Sequence, residues 1–203
     1  MIIIGHRGAA GLAPENTISS FQKAQELGVD AVELDLRQTE SGRIVVVHDL
    51  DLKKIYEGSP ELIEVLSIIK TPVCLEIKEI GFEKKLLETI REFPFEILIS
   101  SFKPRVLRKI RILDRNIQLG LIIAPKKRWD YLFVPIVLFF SFFLKLHSIN
   151  SHYLLLTKRR MRLMRRLKLK VFTWVINNEE EFQKVKQLEV DGVVTDYPNL
   201  IKK

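Results

Sequence analysis

Short apolar runs that end in charged or imidazole side chains constrain this chain more than any other feature. Ile2-Ile3-Ile4 is followed by His6-Arg7, and Glu33 and Asp35 lie inside Ala31-Val32-Glu33-Leu34-Asp35-Leu36. Ile44-Val45-Val46-Val47 leads to His48-Asp49, and Val73-Cys74-Leu75 runs into Glu76-Ile77-Lys78. Runs of this length, rich in β-branched residues and bounded by turn residues, read as buried strands. A charge in such a strand is costly unless it is paired or holds a metal. The conflict disappears if the charges gather where parallel strands end, at the mouth of a barrel.

The order of elements supports that arrangement. Strand patterns occur at Ile2–Ile4, Ala31–Leu36, Ile44–Val47, Val73–Ile77, Ile97–Ser100, Leu119–Ile123, Leu146–Ile149, Val171–Val175 and Val193–Thr195. Helix patterns lie between them at Asn16–Leu27, Pro60–Ile69, Phe82–Phe93, Pro104–Leu113, Trp129–Phe143, Lys158–Leu167 and Glu179–Leu188. Pro60 and Pro104 suit the first turn of a helix, and Gly28 suits a helix C-terminus. The turn Thr39-Glu40-Ser41-Gly42 is too short for a parallel crossover. Residues 31–48 therefore fold as an antiparallel hairpin about Ser41, which sets Val47 near Asp35 and returns His48 toward Glu33. Without the return strand, eight strands remain. This predicts one α/β domain over residues 1–203, a (β/α)8 TIM barrel with an antiparallel hairpin strand after strand 2.

Composition narrows the partners. A chain of 203 residues with 47% hydrophobic and 29% charged residues can bury a full core and is not of disordered type. The formal charge is +8, and much of it lies in Lys158-Arg159-Arg160, Arg162, Arg165-Arg166, Lys168 and Lys170. That run is either a solvated helix face or a contact for an anionic surface. No nucleic-acid-binding motif accompanies it, which argues against nucleic acid as a partner. Cys74 is the single cysteine, and no cleaved signal precedes the first strand, so a cytoplasmic location is the expectation. Tyr131 to Leu144 is almost wholly apolar but too short to span a bilayer. It reads as core, or as part of a peripheral membrane contact or homo-oligomer surface over residues 131–146.

Glu33 and Asp35 are two apart on a strand, so they share a face. Glu76, on the next parallel strand, adds a third carboxylate. Three oxygen ligands suit one divalent metal ion, Mg²⁺ or Ca²⁺ or else Mn²⁺, rather than Zn²⁺. His6 and His48, on different strands beside the acids, suit general acid and base roles. Arg7 and Lys78 suit phosphate oxygens, with ion pairing to the acids as the alternative. His147 and His152 lack such a setting and read as surface or core residues.

These residues carry a family resemblance. Gly5-His6-Arg7-Gly8, Ala13-Pro14-Glu15-Asn16-Thr17, Val32-Glu33-Leu34-Asp35-Leu36, Val47-His48-Asp49 and Leu75-Glu76-Ile77-Lys78 resemble, in this order, the glycerophosphodiester phosphodiesterase family. Ser100-Ser101-Phe102, Thr173-Trp174-Val175-Ile176-Asn177 and the segment from Asp191 to Pro198 extend the likeness nearly end to end. The resemblance implies a metal-dependent phosphoric diester hydrolase that yields sn-glycerol 3-phosphate and an alcohol. It implies Glu33, Asp35 and Glu76 as metal ligands, His6 and His48 as catalytic acid and base, and Arg7 and Lys78 as phosphate contacts. Phe102 and Trp174 correspond to the alcohol side of the pocket, while Glu15 and Asn16 brace the first loop and cap its helix. The chain departs from the family in the short Leu50–Ser59 segment, where members carry a longer insert, and in the apolar Tyr131–Leu144. An open cleft beside apolar and basic surface would suit a lysophospholipid, handled by a membrane-surface enzyme resembling lysophospholipase D. A non-catalytic barrel that binds lipid or phosphate is the remaining alternative.

Overall fold

In the computed structural model, which describes residues 1–48, 58–125 and 132–201, nine strands form one sheet. Asp49, most of Leu50–Ser59, Tyr131 and the predicted helix start at Trp129 lie outside the described residues. The strands are β1 (Ile2–Gly5), β2 (Ala31–Gln38), β3 (Ile44–Val46), β4 (Val73–Ile77), β5 (Ile97–Ser101), β6 (Gln118–Ile123), β7 (Ser148–His152), β8 (Lys170–Trp174) and β9 (Gly192–Thr195). The pairing of β1 with both β2 and β9 closes the ring β1-β2-β4-β5-β6-β7-β8-β9, in which every neighbouring pair is parallel. The helices are α1 (Ile18–Glu26), α2 (Leu62–Ile68), α3 (Glu83–Ile90), α4 (Pro104–Leu113), α5 (Phe133–Leu144), α6 (Lys158–Arg166) and α7 (Glu179–Lys186). This is the (β/α)8 barrel that the alternation of patterns predicts.

Strand alternation divides the core in two. Ile4, Ala31, Cys74, Leu98, Phe172 and Val194 point inward and plug the barrel. Their neighbours in sequence, among them Ile3, Val32, Leu75, Ile99, Val171 and Val193, point outward and join the helices in a larger cluster. Both faces of the strands are thus buried, which explains why their sequences are near-continuous apolar runs. Two residues further along, the inward positions become Glu33, Glu76 and Ser100, then Asp35 and Lys78. The same period that builds the plug delivers the polar set to its upper end.

β3 stands outside the ring. It pairs antiparallel with β2 through Leu36↔Val46, Arg37↔Val45 and Gln38↔Ile44. The Val47 amide donates to the Asp35 carbonyl at 2.9 Å, as the hairpin about Ser41 requires. β1 pairs with β2 only as far as Gly5↔Val32, so β3 takes the edge that β1 leaves.

Local details differ from the sequence reading. Thr17, not Asn16, caps α1, accepting from the Ser20 amide. Asn16 is turned into the site at φ 56°. Pro60 lies before α2: its carbonyl accepts from the Val46 amide, and Val45 bridges to Glu61. That extended pairing to β3 delays the helix until Leu62. β7 begins at Ser148 rather than Leu146 and runs to His152. The apolar run there stops early, but Ser148 Oγ donates to Asn150 Oδ1 at 2.8 Å inside the barrel, so polar residues continue the strand. Gly120 permits this, since a Cβ there would lie 2.7 Å from Ser148 Oγ.

The loop after β1 has its own requirement. Gly8 adopts φ +88°, and a Cβ there would meet the Ser20 backbone at 2.6 Å. The Ser20 hydroxyl donates to the Arg7 carbonyl and accepts from the Ala9 amide, fixing the turn that carries His6 and Arg7. Gly8→Ala is expected to lower stability by roughly 1–3 kcal/mol. A reduced urea midpoint at unchanged m-value would report it; an unchanged midpoint would show that the turn has slack.

Candidate active site

Every residue expected at the site except Asp35 lines one cavity of about 180 Å³ at the C-terminal mouth: His6, Arg7, Glu33, His48, Glu76, Lys78, Phe102 and Trp174. Asp35, two residues beyond Glu33 on β2, is 1% exposed. It accepts from Asn16 Nδ2 at 3.0 Å and pairs with Arg7 Nε at 3.0 Å and Lys78 Nζ at 2.7 Å. Lys78 Nζ also reaches Glu76 Oε1 at 2.5 Å. Arg7 extends to Glu15 Oε2 at 2.7 Å, and its amide donates to Glu33 Oε2 at 3.1 Å. Arg7 and Lys78, expected as phosphate contacts, are therefore engaged with carboxylates while still lining the cavity.

Glu33, Asp35 and Glu76 each offer an oxygen, and these atoms lie within 4.8 Å of one another. The electrostatics record the crowding. Burial, then the charge of Asp35, pushes the Glu33 carboxyl up to about 8. Burial also raises Glu76, with Asp35 adding to it, and the Lys78 ammonium only partly offsets this. Asp35 goes the other way: burial would raise it, but Lys78 and Arg7 hold it below the usual carboxylate range. A buried trio of hard oxygen donors whose charges repel fits a divalent cation of the Mg²⁺ or Ca²⁺ kind.

The two histidines reach the cavity by different routes. His6 follows β1, and its Nδ1 lies 2.6 Å from Asp196 Oδ1 beyond β9. Its Nε2 is thereby left toward the cavity, 4.0 Å from Glu33 Oε2. Burial would lower the His6 pKa, but the Asp196 hydrogen bond and the charge of Glu33 outweigh it and hold the pKa above the ordinary value. Asp196 is itself held by Asn177, which donates from Nδ2 to Asp196 Oδ2 and accepts the Asp196 amide at 2.9 Å. His48 arrives at the end of the hairpin, where Arg37 Nε and Nη2 grip its carbonyl at 2.9 and 2.7 Å.

On the far wall, Phe102 and Trp174 meet edge to face at 5.8 Å, and Trp174 Nε1 donates to the Asn150 carbonyl at 3.0 Å. His152 packs edge-on to Trp174 at 5.2 Å and is not among the residues that line the cavity. His147 is half-buried and away from the cavity. The sequence reading assigned no role to Asp196, Asn177 or Asn150. Asp196 carries the same signal as the others, an acid ending an apolar strand, whereas Asn150 lies one residue past the predicted strand end at Ile149.

A barrel whose strand ends present three acids, two histidines, an arginine and a lysine is a hydrolase scaffold for phosphate esters. The profile of the Glycerophosphoryl diester phosphodiesterase family matches residues 6–66 and 63–200, and the chain belongs to that family of phosphoric diester hydrolases. The glycerophosphodiester phosphodiesterase of Caldanaerobacter subterraneus subsp. tengcongensis is 28% identical over 247 aligned residues, covering 100% of this chain and 98% of that protein. Its alignment is longer than the 203 residues of this chain, so the relative carries insertions. The crystal structure of glycerophosphodiester phosphodiesterase from Thermotoga maritima superposes with TM-score 0.84 at 27% identity, over 98% of this chain and 96% of that one. The Oleispira antarctica phosphodiesterase in complex with the product sn-glycerol-3-phosphate has the same fold, with TM-score 0.83 at 23% identity over 98% of this chain and 94% of that one.

The raised Glu33 pKa has a measurable consequence. A raised carboxyl contributes stability at pH below its unfolded value, and that contribution is lost as pH rises through the folded value of about 8. The metal-free protein is therefore expected to lose stability between about pH 4.5 and 8. Added Mg²⁺ or Ca²⁺ should restore it near pH 7 with release of protons, and a cation at 100 times its Kd adds about 2.7 kcal/mol. Calorimetry in buffers of different ionisation enthalpy reads the protons. Binding without proton release, or binding unaffected by Glu33→Gln, would remove Glu33 from the cation site.

Proposed function

We propose that this chain hydrolyses glycerophosphodiesters to sn-glycerol 3-phosphate and an alcohol, with one divalent cation on Glu33, Asp35 and Glu76 and with His6 and His48 moving protons. The observation that carries this reading is the orientation of His6. Asp196 engages Nδ1, so Nε2 is presented to a cavity that His48 and two of the three carboxylates share. A ring held by a carboxylate on one nitrogen is set in tautomer and direction for proton transfer at the other.

The roles follow from placement. Arg7 and Lys78 line the cavity with fixed positive charge and receive the phosphate oxygens. Glu33, Asp35 and Glu76 would hold the cation, which would supply Lewis acidity and positive charge at the phosphoryl group. Asp196 favours the protonated His6 ring, which suits His6 to donate to the leaving alkoxide and His48 to accept from the attacking hydroxyl or water. Phe102 and Trp174 wall the side on which the alcohol departs. His6→Ala and His48→Ala are each expected to lower kcat on glycerophosphocholine by about 10²–10⁴-fold while keeping the stabilisation by Mg²⁺. Undiminished turnover in either variant would exclude that histidine from the reaction.

A second observation favours a long-chain alcohol, as in a lysophospholipid. An apolar cavity of about 270 Å³ adjoins the site, sharing Phe102 and Ile122 with it and lined further by Phe133, Ile136 and Phe140 of α5. An alkyl chain leaving the phosphate past Phe102 would bury methylenes there. Each is worth about 0.8 kcal/mol, so kcat/KM is expected to rise up to roughly fourfold per methylene until the cavity is full. A chain-length series of monomeric lysophosphatidylcholines, compared with glycerophosphocholine, measures this. A flat series would leave the diesterase reading intact and remove the lysophospholipid one.

A further inference from the structure

We infer that α5 and α6 together form a docking face for an anionic lipid bilayer. α5 is apolar all round, and the fold buries only one side of it. Phe133, Val137 and Leu144 face the core, whereas Phe142 is 80% exposed and Leu138, Phe139 and Phe143 are exposed beside it. The exposed rings touch one another, with centroids 4.5 Å apart for Phe139 and Phe143 and 5.4 Å for Phe142 and Phe143. Contiguous aromatic surface of this kind marks a contact that the isolated chain does not supply.

The charge beside it identifies the occupant. α6 carries Lys158, Arg159, Arg160, Arg162, Arg165 and Arg166 and no acid. Arg165 is neutralised by Glu189 at 2.7 Å, and the Arg160 guanidinium lies over the Phe133 ring at 4.6 Å, which seats α6 against α5. Arg159, Arg162 and Arg166 have no acidic partner among the described residues. They line a hollow of about 870 Å³ together with Val134, Leu154 and Leu163. Val134, Leu138 and Phe142 are spaced four apart, so they form one stripe along α5 that leads from this hollow to the exposed rings. Phenylalanines that enter the acyl boundary, flanked by cations at headgroup level, are the two halves of interfacial binding.

The geometry is that of a protein lying on a membrane. α5 has 12 residues, about 18 Å in length, and no helix among the described residues is long and apolar enough to cross a bilayer. A second copy of the chain fits less well, because it would set this arginine hollow against an equally basic surface.

The test is flotation of the full chain with vesicles of phosphatidylcholine alone or with about a third phosphatidylglycerol. Binding is expected only with the anionic lipid and is expected to weaken as salt rises. Replacing Arg159, Arg162 and Arg166 by Gln should weaken it about fivefold per charge, on the order of 100-fold together. Phe142→Ser with Phe143→Ser should weaken it by at least tenfold at low salt. All five side chains are exposed, so an unchanged thermal unfolding midpoint serves as the check on folding. Equal binding to both vesicles, no binding at low salt, or a dimer abolished by Phe142→Ser would each overturn the inference. Flotation is read without turnover, so its outcome is separate from that of the proposed reaction.

Discussion

The structure turns on one buried carboxylate. Asp35 cannot remain charged beside two other acids without help, and its help comes from three directions: Arg7 after β1, Asn16 at the entry to α1, and Lys78 at the end of β4. Satisfying it therefore ties the first loop, the first helix and two strands to a single atom group. An isolated charge at this depth would cost several kcal/mol, and losing any one partner would return part of that cost. The left-handed backbone at Arg7 and Asn16, otherwise unfavourable, is held because both side chains must reach the same acid.

Much of this was legible in the sequence, for reasons that differ between elements. The inward placement of Glu33, Asp35 and Glu76 follows from the two-residue period alone, and the hairpin register follows from a turn too short to cross the sheet. The brace on His6 was not legible, because Asp196 and Asn177 are some 170 to 190 positions away in sequence and only ring closure between β9 and β1 brings them together. The end of β7 is not legible because Asn150 and the polar residues after it interrupt the apolar run that begins at Leu146. Ser148 and Asn150 are tolerated only because they bond to each other across from a glycine. Asn16 looked like a helix cap, which its residue type favours, but the pull of Asp35 wins and Thr17 takes the cap.

The walls of the pocket differ in rigidity and character. The acid side is locked by ion pairs, whereas the facing side consists of Phe102, Trp174 and the adjoining apolar cavity, where dispersion and shape govern contacts. Charged and apolar surfaces thus occupy opposite halves of the barrel mouth. The apolar half adjoins α5, so the same helix lines that cavity with its inner face and presents its outer face at the surface.

His48 rides on a strand that the ring does not contain. β3 has three residues, held by β2 on one side, by Pro60 and Glu61 on the other and by the grip of Arg37 on the His48 carbonyl. So short a ladder outside the ring opens at lower free energy than the closed barrel. His48 is therefore mounted outside the closed ring, while Glu33, Asp35 and Glu76 sit within it. Heat or denaturant would be felt first as the loss of alignment of one imidazole, in a barrel still closed around its three carboxylates.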